Sequence, residues 1–357
     1  MRRQTKLGGA LVVAAMVGAL GCGSRSGLLD TNTGGANGAS GAASGGTSGG
    51  GAGGASGGTG GALGLCPPGS GVVTLASNLA SPWDIAIDDT YVYASLGVDP
   101  GGIVRVPKTG GAVTTLVDGP SRVHHLALTD DGVLFSASVA GRVLLVAKDG
   151  NALTNLAEFQ HFPEGVATMG STRFWVYQSA GVHGALIRFG LDDSKPEPLV
   201  TDLHDPWDLV AKGDWLYFQT HNDAKQPRGI HRYHTKSALL ETVVDTTLEA
   251  NDFEVTDDAI FFTTNAGLSR YALGAQGPVE LTQGHFYGLS LLNGDVFVAQ
   301  TGFDGAIRRY DPLTNTSSVI ADGQSWPRHV VADSRCVYWT EQGTAGELNG
   351  SLKRAPR

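Results

Sequence analysis

The 357-residue chain carries 25 Lys+Arg against 34 Asp+Glu, a net charge of −9, and 52 of its residues are glycine. That acidic balance excludes a surface built to neutralise phosphate, so no nucleic-acid partner is expected. The length would hold two ordinary domains, but a phrase returning about every 41 residues from Pro82 onward favours one repeat array instead.

Arg2, Arg3 and Lys6 precede a short apolar run, Leu11 to Leu20, that reads as a secretory signal and is too short for a spanning helix. Ala19-Leu20-Gly21-Cys22 resembles the lipobox of bacterial lipoproteins. That resemblance implies removal of residues 1–21, a lipid anchor on Cys22 and an exported protein held in the cell envelope. Gly23, where an inner-membrane retention signal would have Asp, directs the expectation to the outer membrane, on either its periplasmic or its surface side. Losing the three basic residues takes 25 to 22 against 34 acidic ones, so the mature net charge is −12.

Residues 22–65 are almost wholly Gly, Ala, Ser, Thr and Asn, with no charge and no aromatic from Thr31 through Gly64. Such a segment cannot offset its conformational entropy by burial and is expected to be a disordered tether. As a Gly-rich coil it would reach on the order of 35 Å.

From Gly71 each period holds four short runs rich in Val, Ile, Leu, Phe, Tyr and Thr, separated by turn residues. In the first period they are Trp83 to Asp88, Tyr91 to Leu96, Gly102 to Pro107 and Ala112 to Val117. Strands of this length at this spacing predict an all-β chain, and four per period predict a β-propeller blade. Seven periods begin at Pro82, Val123, Phe162, Pro206, Asn251, Phe286 and Pro327. The last stops at its third strand, Gly350-Ser351-Leu352-Lys353-Arg354, while an extra strand, Val72-Val73-Thr74-Leu75, precedes the first. Residues 66–357 are therefore expected to form one seven-bladed propeller, a monomer, closed by the N-terminal strand completing blade seven. Cys66 lies just before that strand and Cys336 opens the second strand of the same blade. A disulfide across the closure is one reading of this pair, two buried thiols the other.

Val337-Tyr338-Trp339-Thr340 followed by Gly350 to Arg354 resembles the Tyr-Trp-Thr-Asp repeat of the low-density-lipoprotein-receptor propellers, protein-binding modules of six blades. Pro163-Glu164-Gly165-Val166-Ala167 and His329-Val330-Val331-Ala332 are similar to first strands of NHL-repeat and streptogramin-lyase propellers. The lyase resemblance implies a catalytic pair, His329 and Glu341, opening a cyclic peptide ester with magnesium and without hydrolysis.

In such a ring, tight turns such as Asp89-Thr90 and Asp257-Asp258 gather at one end and are explained by backbone geometry. The blade entries and the loops between second and third strands gather at the other. His124, His125, His161, His204, His285 and His329 fall at entries, and His183 and His221 in those loops. Together with aromatics and acids they define a candidate ligand face: Trp83, Asp84, His124, His125, Glu164, His204, Trp207, Asp208, Asp252, Tyr287 and His329. Asp84, Asp208 and Asp252 stand at equivalent positions and are equally read as blade-to-blade hydrogen bonds, and the entry tryptophans as blade packing. The carboxylates would suit calcium or magnesium, although no local metal-ligand motif is present. The function expected is non-catalytic binding of a protein, peptide or glycan on this face, with a metal-assisted lyase or hydrolase as the alternative.

Overall fold

The computed structural model describes residues 65–179, 184–221, 228–245, 249–344 and 347–357. The signal segment, Cys22, the tether and His183 lie outside them. The described residues form 28 strands in seven antiparallel four-stranded sheets, with no helix among them. It is a seven-bladed β-propeller.

In blade 1 the strands run Pro82–Ile87, Tyr91–Leu96, Gly102–Pro107 and Thr114–Asp118. The fourth begins two residues later than the apolar pattern suggests, after a turn in which Gly110 and Gly111 both take positive φ, 85° and 130°. Each sheet is sandwiched between two others, so its second strand is covered on both faces. This is why those strands read as unbroken apolar runs: Val337, Tyr338 and Trp339 are all fully buried. One apolar cluster joins Ile85, Val92 and Val104 of blade 1 to Val331, Tyr338 and Leu352 of blade 7; the next joins Ala86 and Tyr93 to Leu126 and Phe135 of blade 2.

Blade 7 is built from both ends of the head. Val73–Leu79 pairs antiparallel with Gly350–Pro356, Val73 opposite Arg354 and Leu79 opposite Gly350. Cys66 and Cys336 form a disulfide with Cα atoms 5.7 Å apart. Lys108 of blade 1, 3% exposed, reaches across to Asp333 of blade 7 at 2.8 Å.

Two backbone devices shape the other end of the blades. After the second strand of six blades, an N–H donates to the residue just before the first strand: Gly97 to Ser81, Ser138 to Arg122, Gln178 to Phe162, His221 to Asp205, Thr301 to His285 and Gln342 to Trp326, at 2.9–3.2 Å. Of the accepting residues, Ser81, Arg122, Phe162, Asp205 and Trp326 adopt left-handed φ, between 40° and 49°. These bonds bring blade entries and second-to-third-strand loops together around one mouth. Just inside it, first and second strands slip register in all seven blades, as between Pro82 opposite Leu96 and Ile85 opposite Ala94. The bulge gives each first strand an extra residue at its second and third positions and re-aims both side chains.

Candidate functional site: two rings at the propeller mouth

The third position of the seven first strands reads Asp84, His125, Gly165, Asp208, Asp252, Gly288 and His329. All five side chains are buried, none more than 4% exposed. Asp84 Oδ1 accepts from its own blade at Ile85 N, 2.8 Å, and Oδ2 from the next blade at Leu126 N, 3.1 Å. Asp252 repeats this with Phe253 N and Leu289 N, both at 2.9 Å, and Asp208 accepts from Leu209 N at 2.8 Å. Buried carboxylates at this position thus bind backbone amides just after the bulge, in their own blade and, for Asp84 and Asp252, in the next. His125 Nδ1 stands 3.9 Å from Asp84 and 3.7 Å from Asp208; His329 Nδ1 stands 3.6 Å from Asp84 and 3.5 Å from Asp252. Each imidazole therefore spans two carboxylates across a blade whose third residue is glycine. A Cβ on Gly165 would lie 2.5 Å from Leu209 N, and one on Gly288 2.5 Å from Arg328 O and 2.6 Å from His329 Cα.

Hydroxyls on the second strand complete this layer. Ser95 Oγ accepts from Asp84 N and donates to His124 O of the next blade. Thr340 Oγ1 accepts from His329 N and donates to Trp83 O, and Thr263 Oγ1 donates to Tyr287 O.

The second position forms the outer ring: Trp83, His124, Glu164, Trp207, Asn251, Tyr287 and Arg328. His124 and Glu164 are buried, and the other five are half-buried and face the mouth. The rings make a near-continuous row. Tyr287 meets Trp83 edge-on at 6.2 Å, Trp83 stacks on His124 at 4.5 Å, His124 tilts toward Trp207 at 5.8 Å, and Trp207 stacks on His221 at 5.5 Å. Glu164 anchors the row, 2.9 Å from His124 Nδ1 and accepting from Ser138 Oγ at 2.6 Å. Arg328 lies over the rings of both Trp83 and Tyr287 and donates to the Tyr287 hydroxyl and to Gln342 Oε1. Burial pushes the Tyr287 phenol up, opposed by Arg328 and reinforced by Asp252, Asp208 and Glu164. Burial holds Arg328 down to about 10, against Tyr287.

Most residues singled out in the sequence meet here: Trp83, Asp84, His124, His125, Glu164, Trp207, Asp208, Asp252, Tyr287 and His329. His204 is buried between Leu203, which ends the fourth strand of blade 3, and the entry of blade 4. The implied catalytic pair, His329 and Glu341, stands on adjacent strands of blade 7. Glu341 accepts from Ser325 N at 3.1 Å and Ser351 Oγ at 2.8 Å and pairs with Lys353 at 2.8 Å, whereas His329 is turned to Asp84 and Asp252. Arg328 and Asn251 were not among the residues read as functional, and neither were Ser138 and Gln342. A basic or amide residue at a strand start carries no signal beyond solvation, so their place in the ring was the only clue.

No group of three or more His, Cys, Asp or Glu among the described residues is placed to hold a metal ion.

No family model matches the chain, and no curated protein matches it. Solved structures do. A computationally designed protein, Ika8, is similar at 15% identity and TM-score 0.56, covering 80% of this chain and 98% of its own. A puromycin-hydrolyzing peptidase from Mycobacterium tuberculosis is similar at 14% identity and TM-score 0.58, over 80% of this chain and 54% of the peptidase. The PQQ-bound aldose sugar dehydrogenase from Streptomyces coelicolor aligns at 14% identity and TM-score 0.50, over 82% of this chain and all of the enzyme. Likeness at this identity speaks for the fold alone, which hosts many unrelated activities.

Proposed function

We propose that the chain is an exported, lipid-anchored propeller that binds a glycan at its mouth without transforming it. The observation that carries this reading is the row of rings Tyr287, Trp83, His124, Trp207 and His221, half-buried except for the buried His124. The exposed edges of these rings give apolar contact to sugars, while Asn251, Gln342 and Arg328 beside them supply directional donors and acceptors for hydroxyls. A catalytic reading would need a nucleophile or base aimed into the mouth. Instead the inner carboxylates hold backbone amides and Glu341 is held by Ser351 and Lys353. The anchor would be Cys22, and the tether would enter the head through Cys66, beside Cys336 at the tight-turn end. The mouth would then face away from the membrane.

The test is a titration of the full chain in detergent with a panel of neutral and acidic oligosaccharides, read by tryptophan fluorescence. Trp83→Ala or Trp207→Ala should weaken binding at least about tenfold, given what a buried aromatic contact contributes. Asp257→Asn, on the tight-turn end, should leave it unchanged. Absence of any response at millimolar sugar, or equal effects at both ends, would reject the reading. The anchor is tested separately: Cys22→Ser should move the protein from the membrane fraction to the soluble exported fraction, and continued membrane retention would count against lipidation.

A further inference from the structure

Many basic side chains of the head meet a carboxylate, while Arg105, Arg308 and Arg354 on the third strands instead meet the Lys148 carbonyl, Gln300 Oε1 and Cys66 Sγ. Lys108 meets Asp333, Arg173 meets Asp131 at 2.6 Å and Lys353 meets Glu341 at 2.8 Å. Within the mouth, Glu164 has His124, Asp84 has His125 and His329, Asp208 has His125 and Asp252 has His329. Arg328 differs. Among the described residues no carboxylate stands within ion-pair distance of its guanidinium, and both of its hydrogen bonds go to neutral oxygens, the Tyr287 hydroxyl and Gln342 Oε1. Its Nε–H is buried and has no acceptor. Five donors are available on a guanidinium and two are used here. A half-buried cation without a counter-anion is costly, and this one is pinned in plane by Trp83 and Tyr287 rather than free to swing into water.

Resting on the reading of the mouth as a glycan site, we propose that the glycan bears a free carboxylate, as in a uronic acid, and that Arg328 receives it. The ligand's planar carboxylate matches the fork of a guanidinium in two parallel bonds, which a hydroxyl or a neutral ester does not. The geometry suits a sugar acid in particular because the charge sits beside apolar ring edges. With its carboxylate on Arg328, the sugar ring of such a residue lies within reach of the exposed edges of Trp83 and Tyr287, whose faces are taken by Arg328 and, for Trp83, His124. The mouth's own acids do not compete, since each is engaged by an amide or an imidazole. Gln342 and Tyr287 hold the fork in place before the ligand arrives, so little side-chain entropy is lost on binding.

The experiment compares uronic-acid tetramers, galacturonic and mannuronic, with their methyl esters on the full chain in detergent. The free acid should bind roughly tenfold to a hundredfold more tightly than its ester, the range expected of a charge-assisted hydrogen-bonded pair. Arg328→Gln should collapse that ratio to within about twofold, and Arg328→Lys, which keeps charge without the fork, should leave an intermediate ratio. Arg188→Gln, on an outer-strand ion pair with Asp193 and Glu197, should leave the ratio as in the wild type. If acid and ester bind alike, the carboxylate is overturned while the glycan reading stands. If no sugar binds, the glycan reading falls and this inference with it. Preference for a polyglutamate peptide over both sugars would assign the carboxylate to a peptide and overturn the proposal. Should Arg328→Gln lose its fold by circular dichroism, the wild-type ratio decides: it should shrink with added salt, and a salt-independent ratio would overturn the ion pair.

Discussion

Neighbouring residues with nearly identical sequence surroundings do opposite work at the mouth. In Pro82-Trp83-Asp84 the bulge sends Asp84 inward, where it bonds amides of two blades, and leaves Trp83 half-exposed beside His124. The same division holds at Pro206-Trp207-Asp208. Gly288 shows how tightly this layer is made. Its Cα faces Arg328 O and His329 Cα, backbone atoms that cannot step aside as a flexible side chain would. Gly288→Ala should therefore destabilise the head by about 1–3 kcal/mol, as overpacking does. Gly277→Ala, where a Cβ would meet nothing within 4 Å, should stay within about 0.5 kcal/mol of wild type. Denaturant midpoints at unchanged slope make the comparison. Equal midpoints for the two variants would show that the blades can part at Gly288 without cost.

At the scale of strands and blades, sequence and structure agree wherever a repeated physical demand leaves a repeated pattern. Burial on two faces makes the second strands continuously apolar, and that signature recurs from Phe174-Trp175-Val176 to Val337-Tyr338-Trp339, so the blade number could be counted. The N-terminal strand was visible because its pattern lacks a partner at the other end of the head. What the pattern did not carry is the bend at most of the entries. Ser81, Arg122, Phe162, Asp205 and Trp326 share left-handed φ but no side-chain chemistry, so no residue type marks the bend, and His285 accepts the same kind of bond without it. The site was legible as a set of entries and illegible as two rings. Alternation alone cannot say which of two bulged residues turns outward, so Trp83 and Asp84 read as one motif. Glu341 illustrates the converse. It fitted a resemblance, but Ser351 and Lys353, ten and twelve positions further along, are brought against it by strand pairing.

For the whole molecule, the ring stands or falls at blade 7, the one blade whose strands come from distant parts of the chain. Val73–Leu79 supplies Leu75, Ala76 and Leu79 to a cluster that also holds Ile85 and Val92 of blade 1, so losing this strand would open both a sheet edge and a core. Three features hold it there: pairing with Gly350–Pro356, the Lys108–Asp333 bridge next door, and the Cys66–Cys336 bond. The disulfide joins residues 270 apart, nearly the full length of the head, and long loops lose the most chain entropy when closed. Replacing both cysteines by serine should therefore cost about 2–5 kcal/mol. For a fold of this size that lowers Tm by roughly 3–8 °C, while the far-ultraviolet spectrum at 25 °C should keep its β character because strand pairing survives. Deleting residues 71–79 should be more severe, since it removes the pairing and the apolar side chains together. If the double serine variant melts within 1–2 °C of the wild type, the closure rests on strand and core alone. If the deletion also melts unchanged, the ring does not depend on its N-terminal strand, and the closure described by the strand pairing would be incidental to stability.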